Sequence, residues 1–175
     1  MIVTLTGRDS NIEEIVDRYN EEVEEGIIEP ELVSLLDIDD FTMRGEILSY
    51  REGEKFEGVM RYNFIPGDVL EYVISSKVGV LKNEHDDIFH AVKIADLEGI
   101  DDYDSETKMA YISVIESFRR GVGRELIEEL QDDMDIGGII AVPYMNVIGF
   151  YDKLGFRETD WFMYRGEEPL MLWTP

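Results

Sequence analysis

Apolar residues along the chain recur in two periods, and the switches between them outline the secondary structure. Ser10-Asn11-Ile12-Glu13 has the Ser-x-x-Glu form of a capping box, and Ile12, Ile15, Val16, Tyr19 and Val23 follow at helical spacing, which predicts a first helix to about Gly26. Pro30 opens a second, shorter helical segment through Leu35 and Leu36, since proline is tolerated in a first turn. Glu46 to Arg51 and Lys55 to Phe64 read as strands around the turn Glu52-Gly53-Glu54, which makes them a hairpin. Val69 to Leu81 is rich in β-branched residues, and Ile88 to Leu97 fits a helix or an extended segment equally. The order of elements between Ile65 and Thr107 does not follow from the pattern.

The C-terminal half is clearer. Met109 to Ile115 is apolar on both alternating faces apart from Ser113, the pattern of a central strand covered on both sides. Leu126, Ile127, Leu130 and Met134 then mark one face of a helix beginning at Val122. Gly138 to Val142 is another short strand. Asn146 is placed to cap a helical pattern of Val147, Phe150, Tyr151 and Leu154 that stops at Gly155. Strand-like segments return from Phe156 to Tyr164 and from Leu170 to Trp173, around the turn Gly166-Glu167-Glu168. No repeat, linker or low-complexity tract interrupts the 175 residues, and that length suits one well-buried core, so a single domain over 1–175 is expected.

Composition narrows the chemistry. Hydrophobic residues make up 44% of the chain and aromatics 11%, enough for a packed globule despite dense charge. Lys and Arg number 16 against 40 Asp and Glu, a formal charge of -24. Acidic residues recur from end to end rather than in a tail. Direct nucleic-acid binding is therefore disfavoured, because phosphate contacts depend on Lys and Arg. With no cysteine and only His85 and His90, thiolate chemistry is excluded and no metal site is expected. Met1 to Thr6 lacks the basic flank and apolar length of a signal peptide, and no run approaches the roughly 18 apolar residues of a membrane helix. The expectation is a cytoplasmic protein without membrane contact.

Against this acidity, Arg119-Arg120-Gly121-Val122-Gly123-Arg124 sets three arginines into six residues. The segment lies between a predicted strand and a predicted helix. A helix's first turn leaves N–H groups unpaired and carries the positive end of the dipole, and glycines let an anion approach the main chain. The turn suits a phosphate or pyrophosphate. In the blander reading the glycines serve packing, and Arg119, Arg120 and Arg124 pair with neighbouring acids such as Glu125, Glu128 and Asp132.

This turn, together with Asn146-Val147-Ile148-Gly149-Phe150-Tyr151-Asp152-Lys153-Leu154-Gly155-Phe156, resembles the GNAT superfamily of acetyl-CoA-dependent N-acyltransferases. In that family an Arg/Gln-x-x-Gly-x-Gly/Ala turn after the fourth strand binds the cofactor pyrophosphate, and an Asn...Phe-Tyr-x-Lys-x-Gly-Phe segment follows the fifth. The resemblance is specific from about Lys108 to Phe156, and Gly58 in the N-terminal hairpin agrees with it. Phe118 stands where the motif has Arg or Gln, with Arg119 as its functional counterpart.

The resemblance implies an α/β domain of α+β type, with a mixed, mostly antiparallel central sheet flanked by helices and an insertion around 65–107 near the acceptor side. It also implies acetyl-CoA as co-substrate, no metal, and a primary amine of a small molecule or protein as acceptor, in a monomer or homodimer. Arg119, Arg120, Gly121, Val122, Gly123, Arg124 and Asn146 would bind the cofactor. The backbone of Val114 and Ile115 would receive its pantetheine arm and polarise the thioester carbonyl. Tyr151, also a cofactor contact, would protonate the departing thiolate. Glu116 at the strand end is the placed candidate for general base and His90 a weaker one. Each also has an ordinary reading: Val114, Ile115 and Tyr151 as core, Glu116 as a solvated carboxylate. A negative field near the acceptor favours a cationic amine. Two other classes compete, a catalytically silent acyl-CoA sensor and an acidic interaction protein that mimics nucleic acid.

One reading of so acidic a surface is adaptation to high salt, where screening removes self-repulsion. It predicts an unfolding midpoint that rises from low to molar KCl; a midpoint indifferent to salt removes it.

Overall fold

The computed structural model describes residues 1–5, 46–53, 55–76, 78–82, 88–94, 108–133, 135–143, 145–163 and 169–175, with Asp17, Glu21 and Glu24. In chain order the elements are β1 (Ile2–Leu5), β2 (Glu46–Glu52), β3 (Lys55–Ile65), α1 (Gly67–Ser76), β4 (Val78–Lys82) and β5 (Ile88–Ile94). There follow β6 (Lys108–Ser117), α2 (Val122–Gln131), β7 (Ile136–Ala141), a 3-10 turn (Met145–Val147), α3 (Ile148–Asp152), β8 (Arg157–Met163) and β9 (Pro169–Trp173). Asp17, Glu21 and Glu24 are helical, as expected there. The rest of that predicted helix, the segment from Pro30 to Leu36 and the turn at 166–168 lie outside the described residues.

The chain forms two compact units, one of residues 1–61 and 114–126, the other of 62–113 and 127–175. β3 and β6 contribute residues to both. In the first unit the strand order is β1-β2-β3-β6. β1 pairs antiparallel with β2, Ile2 opposite Tyr50. The predicted hairpin is present as β2 and β3, joined by two residues, with Gly53 at a φ of 66°. Ile47, Leu48, Phe56, Val59 and Met60 are all buried.

What fixes the first unit is the approach of α2 to β3. Val122 and Leu126 are both fully buried. A Cβ built on Gly58 would overlap Val122 Cγ1 and lie 3.1 Å from the Glu116 carbonyl oxygen and 3.4 Å from Leu126 Cδ1. Only a residue without a side chain lets the helix seat this closely. Each buried aliphatic side chain contributes about 1.5–3 kcal/mol relative to exposure.

In the second unit the order is β3-β6-β7-β9-β8-β5-β4. β6 and β7 run parallel, Ala110 opposite Ile139 and Tyr111 opposite Ile140. The pairs β4–β5, β5–β8, β7–β9 and β8–β9 are antiparallel. The sheet is thus mixed and largely antiparallel, with α+β character, as expected. Met109, Ala110, Tyr111 and Ile112 are buried on both alternating faces, which is the doubly covered strand that the sequence predicts. Ile127 and Leu130 continue the buried face of α2 in this unit.

The described part of the segment the sequence leaves unordered folds as α1, β4 and β5. Despite its β-branched residues, Gly67 to Ser76 is helical. The carbonyl of Pro66 accepts the N–H groups of Val69 and Leu70 at 3.1 and 3.2 Å, Asp68 sits in the first turn, and Leu70 is fully buried. Propensity is a weak bias that one good start and one buried anchor override. Among the described residues no helix is long and apolar enough to cross a membrane.

Replacing Gly58 with Ala should destabilise the fold by about 1–3 kcal/mol, the cost of overpacking a filled site, because Val122 is β-branched and stiff within a helix. Urea unfolding of the two proteins measures the difference, and equal midpoints would contradict this account of the seat.

Candidate functional site

The arginine-glycine turn lies in the first unit. Phe118, just past β6, is still tied to β3, donating its N–H to the Glu57 carbonyl at 3.0 Å. The chain must then reverse before Val122 enters the core. Gly121 makes the reversal with a φ of 98°, and a Cβ there would meet nothing within 4 Å. The position is exposed and open, and its left-handed backbone strongly favours glycine. α2 then opens with Val122 donating to the Arg119 carbonyl at 3.2 Å and Glu125 to the Gly121 carbonyl at 3.2 Å.

One side chain, absent from the sequence reading, organises this turn. The Ser117 hydroxyl donates to the Arg119 carbonyl at 2.6 Å and accepts the Gly123 N–H at 3.2 Å. Serine bonding to nearby backbone is a common habit, but a partner six residues ahead becomes visible only once the turn is folded. The N–H groups of Arg120 and Gly121 have no acceptor among the described residues. They stand at the N-terminal end of a ten-residue helix, beside the exposed Arg120 side chain. Two open N–H donors, an exposed guanidinium and an unobstructed glycine suit an anionic oxygen.

Arg119 finds a partner the sequence does not suggest. Its Nη1 donates to Glu52 Oε2 at 2.6 Å, and its Nη2 to the Tyr50 hydroxyl at 3.2 Å. The guanidinium carbon lies 5.3 Å from the Tyr50 ring centroid. The acid comes from β2, rather than from Glu125 or Glu128 of α2 or from Asp132 just beyond it. Both side chains are well exposed, 41% for Arg119 and 64% for Glu52, so the pair orients Arg119 more than it stabilises the fold. Arg124 is exposed, and Val122 and Gly123 are buried.

At the end of β6, Val114 is buried and Ile115 and Glu116 are half-buried. Glu116 Oε1 accepts the N–H of Ser117 at 3.0 Å, which ties the candidate base to its own backbone. His90 lies on β5 in register with Leu81.

Tyr151 belongs to the second unit. It sits in α3, 5% exposed, in edge contact with Phe150 and Phe156 at ring separations of 5.3 and 5.2 Å. The helix ends by donating the Gly155 N–H to the Asp152 carbonyl and the Phe156 N–H to the Tyr151 carbonyl at 3.1 and 3.2 Å. This paired closure brings the residue beyond the helix back onto its last turn, and Phe156 packs on Tyr151 as a result. Gln131 secures the same end, its Nε2 donating to the Leu154 carbonyl at 2.9 Å. Burial pushes the Tyr151 phenol up to about 12. Tyr111, buried on β6, is raised too, by burial and then by the neighbouring Tyr151.

Asn146 departs from expectation. The chain enters α3 through a 3-10 turn, so the N-cap is Val147, with no side-chain hydrogen bond, and exposed Asn146 stands within that turn. A cap needs its side chain at the boundary, and the tighter entry shifts that boundary by one residue.

No protein-family model matches the chain, and no curated protein matches it by sequence. Solved structures do. The N-acetyltransferase YlbP of Bacillus subtilis, solved with coenzyme A, is 13% identical with a TM-score of 0.56, over 100% of this chain and 97% of its own. A GNAT-family protein from Desulfovibrio desulfuricans is 14% identical with a TM-score of 0.53, over 98% and 96%. Arabidopsis thaliana NAA60, solved with acetyl-CoA, is 15% identical with a TM-score of 0.50, over 100% of both chains. The chain has the fold of the GNAT acetyltransferases, the fold its motifs resemble.

A phenol whose folded pKa lies above its ordinary value of about 10 is held protonated by the fold. That stabilisation is full below pH 10 and is lost as pH rises toward 12. Chain stability should therefore fall by about 1.4 kcal/mol per pH unit on this group's account through that window. Urea titrations at each pH should give a shallower loss for Tyr151→Phe; parallel slopes would contradict the assignment.

Proposed function

We propose that the chain is an N-acetyltransferase that moves the acetyl group of acetyl-CoA directly onto a primary amine of a small molecule or protein. The observation that carries this reading is the turn before α2, in a chain with the GNAT fold: open N–H groups at Arg120 and Gly121, a left-handed glycine and an exposed arginine. Such a turn offers short-range charge and dipole to a pyrophosphate. That matters on a chain of net charge -24, whose long-range field repels the ligand.

On this reading Arg120 and Arg124 contact phosphate oxygens along with the N–H groups of Arg120 and Gly121, while Val122 and Gly123 shape the turn with their own N–H groups taken up inside it. Arg119 adds charge tempered by Glu52. The backbone of Val114 and Ile115, where β6 ends, receives the pantetheine arm, and one amide polarises the thioester carbonyl as the amine attacks. The thioester supplies an activated acyl group and a thiolate leaving group. Tyr151, protonated throughout the physiological range, donates to that thiolate. The amine must lose its own proton, and Glu116 is the carboxylate nearest in sequence to the reacting strand end. Asn146, exposed in the turn before α3, would touch the cofactor from its edge. Residues 65–107 would border the acceptor, and the acidic surface favours a cationic amine.

Calorimetry should show CoA binding to the wild-type chain, and a panel of amines assayed for acetyl-CoA-dependent thiol release should reveal an acceptor. Arg120→Ala should weaken CoA binding and flatten its dependence on salt. Tyr151→Phe should lower turnover by about 100-fold, the lower end of acid catalysis, with CoA affinity nearly intact. Binding without thiol release for any amine would favour a sensor; no binding at all would remove the reading.

A further inference from the structure

Ser117 carries a role that neither the motif nor the fold likeness assigns. Its hydroxyl has one proton to donate and lone pairs to accept with, and both are used on the turn: the proton on the Arg119 carbonyl at 2.6 Å, a lone pair on the Gly123 N–H at 3.2 Å. The Arg119 carbonyl also accepts the Val122 N–H at 3.2 Å. That carbonyl is therefore held toward the start of α2 by two donors. The peptide joining Arg119 to Arg120 is trans and planar, so its C=O and N–H point in opposite directions. Holding the carbonyl inward turns the Arg120 N–H outward, and this N–H has no acceptor among the described residues. Accepting the Gly123 N–H removes a competing donor and fixes the first turn of α2.

We infer that Ser117 is a positioning residue for anion binding: its hydroxyl aims the Arg120 N–H at the phosphates of the ligand without touching them. This rests on the proposed reading of the turn as a pyrophosphate site. The alternative is that Ser117 merely stabilises the strand end, and the two roles have different signatures. Loss of a strut lowers thermal stability alone. Loss of aim weakens binding at the phosphates and changes the amide that was aimed.

The test is calorimetric CoA titration of wild type, Ser117→Ala and Ser117→Thr, with unfolding midpoints and amide NMR of Arg120 and Gly121 recorded on each. Ser117→Ala should weaken CoA binding about five- to tenfold, roughly the loss of one hydrogen bond's alignment. The downfield shift of the Arg120 amide on CoA addition should shrink in that variant. Ser117→Thr, which keeps the hydroxyl, should restore both. Inorganic pyrophosphate should compete with CoA on wild type and less well on Ser117→Ala. Unchanged CoA affinity in a folded Ser117→Ala would overturn the inference, as would weaker binding with the Arg120 shift intact. A wild-type chain that binds no CoA would overturn the pyrophosphate reading itself and this inference with it.

Discussion

The seat of α2 on β3 at Gly58 is the contact on which the first unit's chemistry depends. Val122 must enter the core at once, yet Phe118 is still bonded to β3 through Glu57. The chain between them is too short to choose its path. It reverses through a left-handed Gly121, and the carbonyls of Arg119 and Gly121 are taken up by the opening of α2. What remains outside is a set of N–H groups. The outward set of N–H groups on which the proposed anion site relies is thus a by-product of burying Val122 and Leu126, whose packing supplies the energy. The polar bonds of Ser117 supply direction, since a hydrogen bond's net contribution is about 1 kcal/mol.

Charge acts here over two ranges. At a distance the chain is strongly negative, but screening reduces that field over a Debye length of about 8–10 Å at physiological salt. At contact, the dipole of α2, its open N–H groups and Arg120 act together. Glu52 moderates the positive spot by holding Arg119 against Tyr50. Because both partners are exposed, their pairing contributes little to stability. Its effect is to keep one guanidinium oriented along β2, leaving Arg120 beside the open N–H groups.

Much of this was legible in the sequence where burial is two-sided or strictly periodic. β6 reads as a central strand because Met109 to Ile112 face packed neighbours on both sides, and α2 reads as a helix because its apolar stripe returns every turn. The hairpin follows from Gly53. α1 was illegible because its β-branched residues argue for a strand, while Pro66, Asp68 and Leu70 decide for a helix. Asn146 misleads because a 3-10 entry cannot be told from a direct one by residue type. Within the candidate site the sequence exposes the arginines and glycines, which act through type. It hides Ser117, Glu52 and Tyr50, which act through contacts made only when β2, the end of β6 and the turn are folded.

Tyr151 sets a harder constraint on the proposed chemistry. In water a phenol near 10 and a thiol near 8.5 differ by about 1.5 units. Packing between Phe150 and Phe156 lifts the phenol to about 12, which keeps it protonated but makes it a reluctant donor. Measured against a solvated thiolate, proton transfer would be uphill by roughly 5 kcal/mol. The mismatch closes only if the thiolate forms in the same dry surroundings, where burial raises a thiol's pKa as it raises a phenol's. The two anions then suffer desolvation together, and the gap returns toward its value in water. On the proposed chemistry Tyr151 would therefore be an effective acid only for a leaving group that departs without water, and its aromatic packing would be a condition of that chemistry as well as of the fold.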